Sequence, residues 1–134
     1  MRFMYIVTSE HPAAPTPALM EAMGKLADRE IKAGRMIDSG GLMPLSTGAH
    51  VRIRDSALSV VDGPFVEAKE MIGGYAIFEL RDKEEALAAA VEFMQLHKQH
   101  MPGWEGTCEL RAFATPAHEA GCQVDVRAEI RANA

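Results

Sequence analysis

Two stretches with the apolar spacing of helices, set among short runs with the alternation of strands, follow the order strand, helix, strands, helix, strand. That order predicts an α+β chain of ferredoxin-like type, an antiparallel sheet with two helices on one face. A length of 134 residues suits one compact domain with its own core.

Each element has a local reason. Residues 2 to 8 alternate Phe3, Tyr5 and Val7 with Met4, Ile6 and Thr8, the pattern of a strand that buries both faces. After the loop HPAAPTP, Thr16 caps a helix and Pro17 takes its first position, where a missing N–H costs nothing. The helix is expected to run to about Ala33. Its apolar face is Leu19, Met23, Leu26 and Ala27 with Met20 and Ile31, and Gly34 is its stop. The middle stretch, RMIDSGGLMPLSTG, is choppier, punctuated by Gly40, Gly41, Pro44 and Gly48. AHVRIRDSALSVV follows as a hairpin turning at Asp55 and Ser56.

Gly73 and Gly74 introduce a strand in which Ala76, Phe78 and Leu80 face one way and Tyr75, Ile77 and Glu79 the other. Asp82 caps the second helix, with Glu84 and Glu85 in the first turn where the helix dipole favours negative charge. Ala86, Leu87, Ala90, Phe93, Met94 and Met101 form its buried face, and His97 falls within that arc. PGWEG breaks the chain before TCELRAFA, a last strand with Cys108, Leu110 and Ala112 on one face. The domain is expected to close at residue 114. Residues 115–134 form a C-terminal extension, an edge strand or a flexible tail.

Composition excludes several classes. A net charge of -5 with no basic stripe argues against nucleic acid, whose phosphates demand clustered Lys and Arg. No stretch nears the roughly 20 apolar residues that span a bilayer, and the first run reads as a strand rather than a secretory leader. Cys108 and Cys122 make neither a disulfide framework nor a zinc spacing, so a reducing, cytoplasmic setting is expected. Both sheet faces are partly apolar. A second copy packed sheet to sheet is the simplest cover for the face without helices, which predicts a homodimer.

The segments GGLMP, VRIRDSALSVVDGPFVEAKEMIGGYAIFEL and ALAAAVEFMQLHKQHMPGWEGTCELRAF together resemble the YCII-related family, in the branch named for its DGPF motif. The resemblance covers residues 1 to 113, and DGPF followed by EAKE and GGY is its most specific part. It implies a dimeric α/β barrel built from ferredoxin-like units. Relatives outside the branch resemble enzymes that act on small, often aromatic molecules through a His and Asp pair. The first helix here has no His at the corresponding place, so that pair does not transfer. Similar domains occur beside sigma factors of the extracytoplasmic-function class, which implies a regulatory alternative.

The candidate site residues cluster around VVDGPFVEAKE. Gly63 and Pro64 are the structural turn. Asp62 has two readings: it accepts backbone N–H bonds across that turn, or it serves as a general base or orients an imidazole. Glu67, Lys69 and Glu70 are either a solvated ion-pair loop or a site in which Lys69 holds an acidic group while Glu67 or Glu70 moves a proton. His97 is either a satisfied core residue or, neutral through burial, a base reaching the same cavity. Asp62, His97, Glu67 and Glu70 are therefore the catalytic candidates. Lys69, Phe65, Arg52 and Tyr75 are the substrate-binding ones.

His97 and His100 are spaced for metal, with Glu70 or Asp62 as a third ligand, but their angles on the helix diverge. No metal and no cofactor are expected. The leading expectation is a cytoplasmic dimer that performs cofactor-free isomerase- or lyase-type proton transfer on a small organic molecule in its barrel cavity. The alternatives are a non-catalytic ligand sensor or interaction module linked to transcription, and a structural dimer without ligand.

Overall fold

The computed structural model describes residues 1–11, 13–63, 65 and 71–115. Pro64, Glu67, Lys69, Glu70 and the extension from residue 116 onward lie outside the described residues. The elements are β1 (Arg2–Ser9), α1 (Pro17–Lys32), β2 (Met36–Gly41), a 3-10 turn at Leu45–Thr47, β3 (His50–Arg54), β4 (Ala57–Val61), β5 (Met71–Glu79), α2 (Lys83–His100) and β6 (Gly106–Ala112). Four strands form an antiparallel sheet in the order β2-β5-β1-β6, and among the described residues β3 pairs with β4 alone. This is the ferredoxin-like arrangement expected, with a hairpin inserted between its second and third core strands.

The helix ends follow from their caps. The Thr16 hydroxyl accepts the Leu19 N–H at 3.1 Å, and Pro17 stands at the first helical position. Gly34, with φ +75°, ends α1 in a conformation that costs other residues a Cβ clash. The Asp82 carboxylate accepts the Glu85 N–H at 2.9 Å, and Glu84 and Glu85 fill the first turn of α2. The Thr16 hydroxyl also donates to the His100 carbonyl at 2.8 Å, which ties the start of α1 to the end of α2. Near the end of α1, Arg29 pairs with Glu92 in the middle of α2 at 2.7 Å.

Phe3, Tyr5, Phe78, Leu80, Ala86 and Ala90 form the core between sheet and helices, with Cys108, Leu110, Met36 and Ala76 packed against it. Burying each of the large side chains contributes about 1.5–3 kcal/mol. The Tyr5 hydroxyl donates to the Ala86 carbonyl at 2.7 Å, so its polar atom is satisfied inside the core. Of α1, Leu19 is sealed, whereas Met20 and Ile31, expected on the buried face, are more than half exposed, as is Leu87 of α2. Helical periodicity gives the centre of an apolar arc correctly and misjudges its rim, where the partner surface ends.

Two features escape the sequence pattern. The first is β2, which lacks alternation because its last four residues are Asp38, Ser39, Gly40 and Gly41; backbone pairing with β5 makes it a strand. Gly74 is required there, and Gly40 makes room for a ring. A Cβ on Gly74 of β5 would lie 2.9 Å from the Gly40 carbonyl oxygen, and one on Gly40 would lie 3.0 Å from the Tyr75 ring. The second is Glu30, a buried carboxylate held by the guanidinium groups of Arg29 and Arg35. Burial pushes its pKa up, but the hydrogen bonds from Arg35 and Arg29 outweigh this and hold it below the ordinary carboxylate range.

Candidate functional site

Strand parity divides the candidate residues. Phe78 and Ala76 of β5 point toward the helices, so Tyr75 and Ile77 point away. The register sets Ile77 opposite Met4 and Tyr75 opposite Ile6. On β6, Arg111 and Glu109 are paired with the same two β1 residues. On β2, Asp38 and Gly40 stand opposite Ile77 and Tyr75. The helix-free face is thus a half-buried apolar strip, Met4, Ile6, Ile77 and the Tyr75 ring, edged by polar groups from the outer strands.

On that strip lies one ordered polar pair. The Tyr75 hydroxyl donates to Asp38 Oδ2 at 3.0 Å, and Asp38 Oδ1 accepts the Ser39 N–H at 2.8 Å. Both carboxylate oxygens are therefore fixed in direction while each keeps a free lone pair. The hydrogen bond to Asp38 and its charge raise the Tyr75 pKa, so the phenol remains a proton donor at neutral pH. Gly40 provides the space that lets the ring lie across β2 toward Asp38. Sequence reading named Tyr75 but missed Asp38. Its only local signal is an acid between Ile37 and a Ser-Gly-Gly run, where no alternation assigns it a face.

His97 sits on the other side of the sheet. It is 6% exposed on the sheet-facing side of α2, its Nδ1 lies 3.1 Å from the Phe93 carbonyl oxygen, and its ring contacts Phe93 and Trp104 at centroid distances of 4.6 Å. Desolvation lowers its pKa, against a smaller opposing contribution from the Phe93 carbonyl. The imidazole is accordingly neutral, with Nδ1–H donating and Nε2 as the accepting nitrogen. Trp104 is held over Gly106, where any Cβ would run into the indole. Shallow hollows of about 340 and 250 Å³ flank Trp104. Neither is lined by residues of the helix-free face.

The other candidates fall at the base of the hairpin. Asp62 is exposed, and the turn it was expected to brace runs into Pro64, outside the described residues. Gly63 adopts φ +109°, a conformation that favours glycine. Phe65 packs edge-on against His50 at 4.7 Å, and Arg52 is exposed on β3. Tyr75 and His97 are on opposite sides of the sheet, so these two candidates do not meet, while Glu67, Lys69 and Glu70 lie outside the described residues. Among the described residues, no three His, Cys, Asp or Glu side chains stand together as metal ligands. Burial pushes the Cys108 thiol up to about 11, which makes it a core residue rather than a nucleophile.

Fold and face define a class: an α+β protein whose antiparallel sheet, among the described residues, keeps one side free of helices and carries a carboxylate–phenol pair there. The model of the YCII-related domain matches residues 1–93, more than half of the chain, and the chain belongs to the YCII-related family. No curated protein matches it. Among solved structures it is similar to 5-chloro-2-hydroxyhydroquinone dehydrochlorinase from Burkholderia phenoliruptrix AC1100, solved with 2,5-dihydroxybenzoquinone. The identity is 15% and the TM-score 0.43, over 88% of this chain and 98% of that one. No described helix is long and apolar enough to cross a membrane.

Proposed function

We propose that this chain binds a small organic molecule on the helix-free face of its sheet, enclosed by the facing sheet of a second copy, and transfers a proton there without a cofactor. The oriented Tyr75–Asp38 pair on an apolar strip is the observation that carries this reading. Asp38 takes a proton from an acidic carbon or hydroxyl of the substrate, and Tyr75 donates a hydrogen bond to the oxygen on which negative charge develops. Returning the proton elsewhere completes an isomerisation; departure of a leaving group from the carbanion completes an elimination. Met4, Ile6 and Ile77 supply the apolar walls, and a second copy excludes water and strengthens both polar interactions. The free Cys108 thiol suits a reducing, cytoplasmic compartment.

The test is a thermal-shift screen of small aromatic and carbonyl compounds followed by turnover assays of the hits. Asp38→Asn and Tyr75→Phe are expected to lose turnover and keep the fold, while Asp62→Asn and His97→Ala retain it. The reverse pattern would return the site to the DGPF loop and α2. Binding without turnover in every variant would make the chain a sensor.

A further inference from the structure

Strand register sorts the helix-free face into cross-strand rows. One row runs Asp38, Ile77, Met4, Arg111 from β2 to β6, because Asp38 pairs with Ile77, Ile77 with Met4 and Met4 with Arg111. The next runs Gly40, Tyr75, Ile6, Glu109. Cys108 and Leu110 pack against the core, so alternation turns Arg111 to the same face as Asp38. The first row is therefore polarised, with a carboxylate at one end, a guanidinium at the other and two apolar side chains between them. Arg2 supplies the contrast. It pairs with Glu79 on the neighbouring strand and bonds that carboxylate at 3.1 Å, so its charge is met within its own row at one strand's distance. The acid in the row of Arg111 stands three strands away.

We propose that Arg111 selects the substrate by binding a carboxylate on a single-ring molecule whose acidic hydroxyl or carbon lies at Asp38. The inference rests on the reading of that face given above and narrows its substrates to anions. Span comes first: the row ends are about 14 Å apart from backbone to backbone, and side chains leaning in over Ile77 and Met4 shorten that to the length of one ring with a carboxylate. Charge gives the direction. Asp38 repels an anionic group beside it, and a chain of net charge -5 disfavours anions at large, so such a substrate needs a fixed cation at the far end of the strip. Glu109 lies about 7 Å along β6 from Arg111 and disfavours an anion over Ile6, which leaves the Met4 row as the track. The guanidinium fork donates to both oxygens of a carboxylate, and the Met4 thioether suits a ring laid across it. Held at two points, the ring presents one defined atom to Asp38.

Calorimetric titration of the full chain with para-hydroxybenzoate and its neutral isostere para-hydroxybenzamide tests it, since both probes offer the same hydroxyl to Asp38. The wild type is expected to bind the carboxylate about tenfold tighter or more. Arg111→Gln should remove that preference and leave the amide affinity unchanged, with circular dichroism as the fold control. Arg111→Lys keeps the charge without the fork and should restore part of the preference, and added salt should weaken the carboxylate alone. Equal affinity for the two probes, or a preference that survives Arg111→Gln, refutes the role of Arg111; the face itself stands if Asp38→Asn then weakens the amide. Binding that ignores both Asp38→Asn and Tyr75→Phe removes the reading of the face as well. If the wild type binds neither probe, the carboxylate assignment falls, and neutral hits from the thermal-shift screen keep the site.

Discussion

On the helix-covered side of the sheet Phe3, Tyr5 and Phe78 are almost sealed, whereas one residue along the same strands Met4, Ile6 and Ile77 are only half covered. Both rows are apolar, and both are built by the same alternation. The difference is in their polar groups. On the covered side each is satisfied internally, as in Tyr5 with Ala86 and His97 with Phe93. On the open side Tyr75 and Asp38 satisfy each other while keeping capacity to spare. Polar atoms that close a core and polar atoms that await a partner are distinguishable by that remainder.

The contrast can be tested from either side. Phe78→Ala is expected to cost about 3–5 kcal/mol in denaturant unfolding, and Ile77→Ala about 1 kcal/mol at concentrations where the chain is monomeric. Equal losses would mean that the open face is already packed. Two glycines make a second comparison, since each makes room for an aromatic ring. A Cβ on Gly106 would meet the Thr8 carbonyl oxygen at 2.5 Å as well as the indole of Trp104, and Gly106→Ala should cost about 1–3 kcal/mol because backbone cannot yield. Gly40→Ala meets only the movable edge of Tyr75; it should leave stability nearly unchanged and lower turnover by tilting the phenol away from Asp38.

Acid sharpens the same division. His97 has a lowered pKa in the folded chain through burial, so unfolded chains take up its proton first as pH falls. Its contribution to stability is complete above about pH 6.5, declines as pH drops through the folded value, and is flat below it. His97→Gln should remove that slope in a pH series of melting curves without altering the pH dependence of turnover. The smallest effect belongs to neither face. Ser56→Gly relieves a left-handed residue in the hairpin turn and should stabilise the fold by a few tenths to about 1 kcal/mol.

The parts of this fold that were legible in the sequence are those whose causes are local. Thr16, Pro17, Gly34 and Asp82 mark helix ends because caps act within one turn, and Asp55–Ser56 marks the hairpin because two residues fix it. His97 was placed in the buried arc by helical angle alone. β2 was illegible because Gly40 and Gly41 have no side chains to alternate. Glu30 carries no local signal of burial, because its burial depends on where Arg35 returns along the sheet. The candidate site was half legible for a related reason. Asp38 and Tyr75 are far apart in the chain and meet only through strand register, which no short window contains.

Arg35 shows how that register is set. Its side chain holds the buried Glu30 carboxylate, its N–H donates to the Glu30 carbonyl at 3.0 Å, and its carbonyl accepts the Glu79 N–H at 2.8 Å. A strand ending in two glycines carries almost no information about its own alignment, and a slip of one residue would turn Asp38 toward the helices. Alignment is instead imposed at the strand's first step, where a helix and a neighbouring strand grip one arginine from three directions. The electrostatic lock beside α1 thus acts as an index mark, and the chemistry on the far side of the sheet inherits its address from a residue that never touches it.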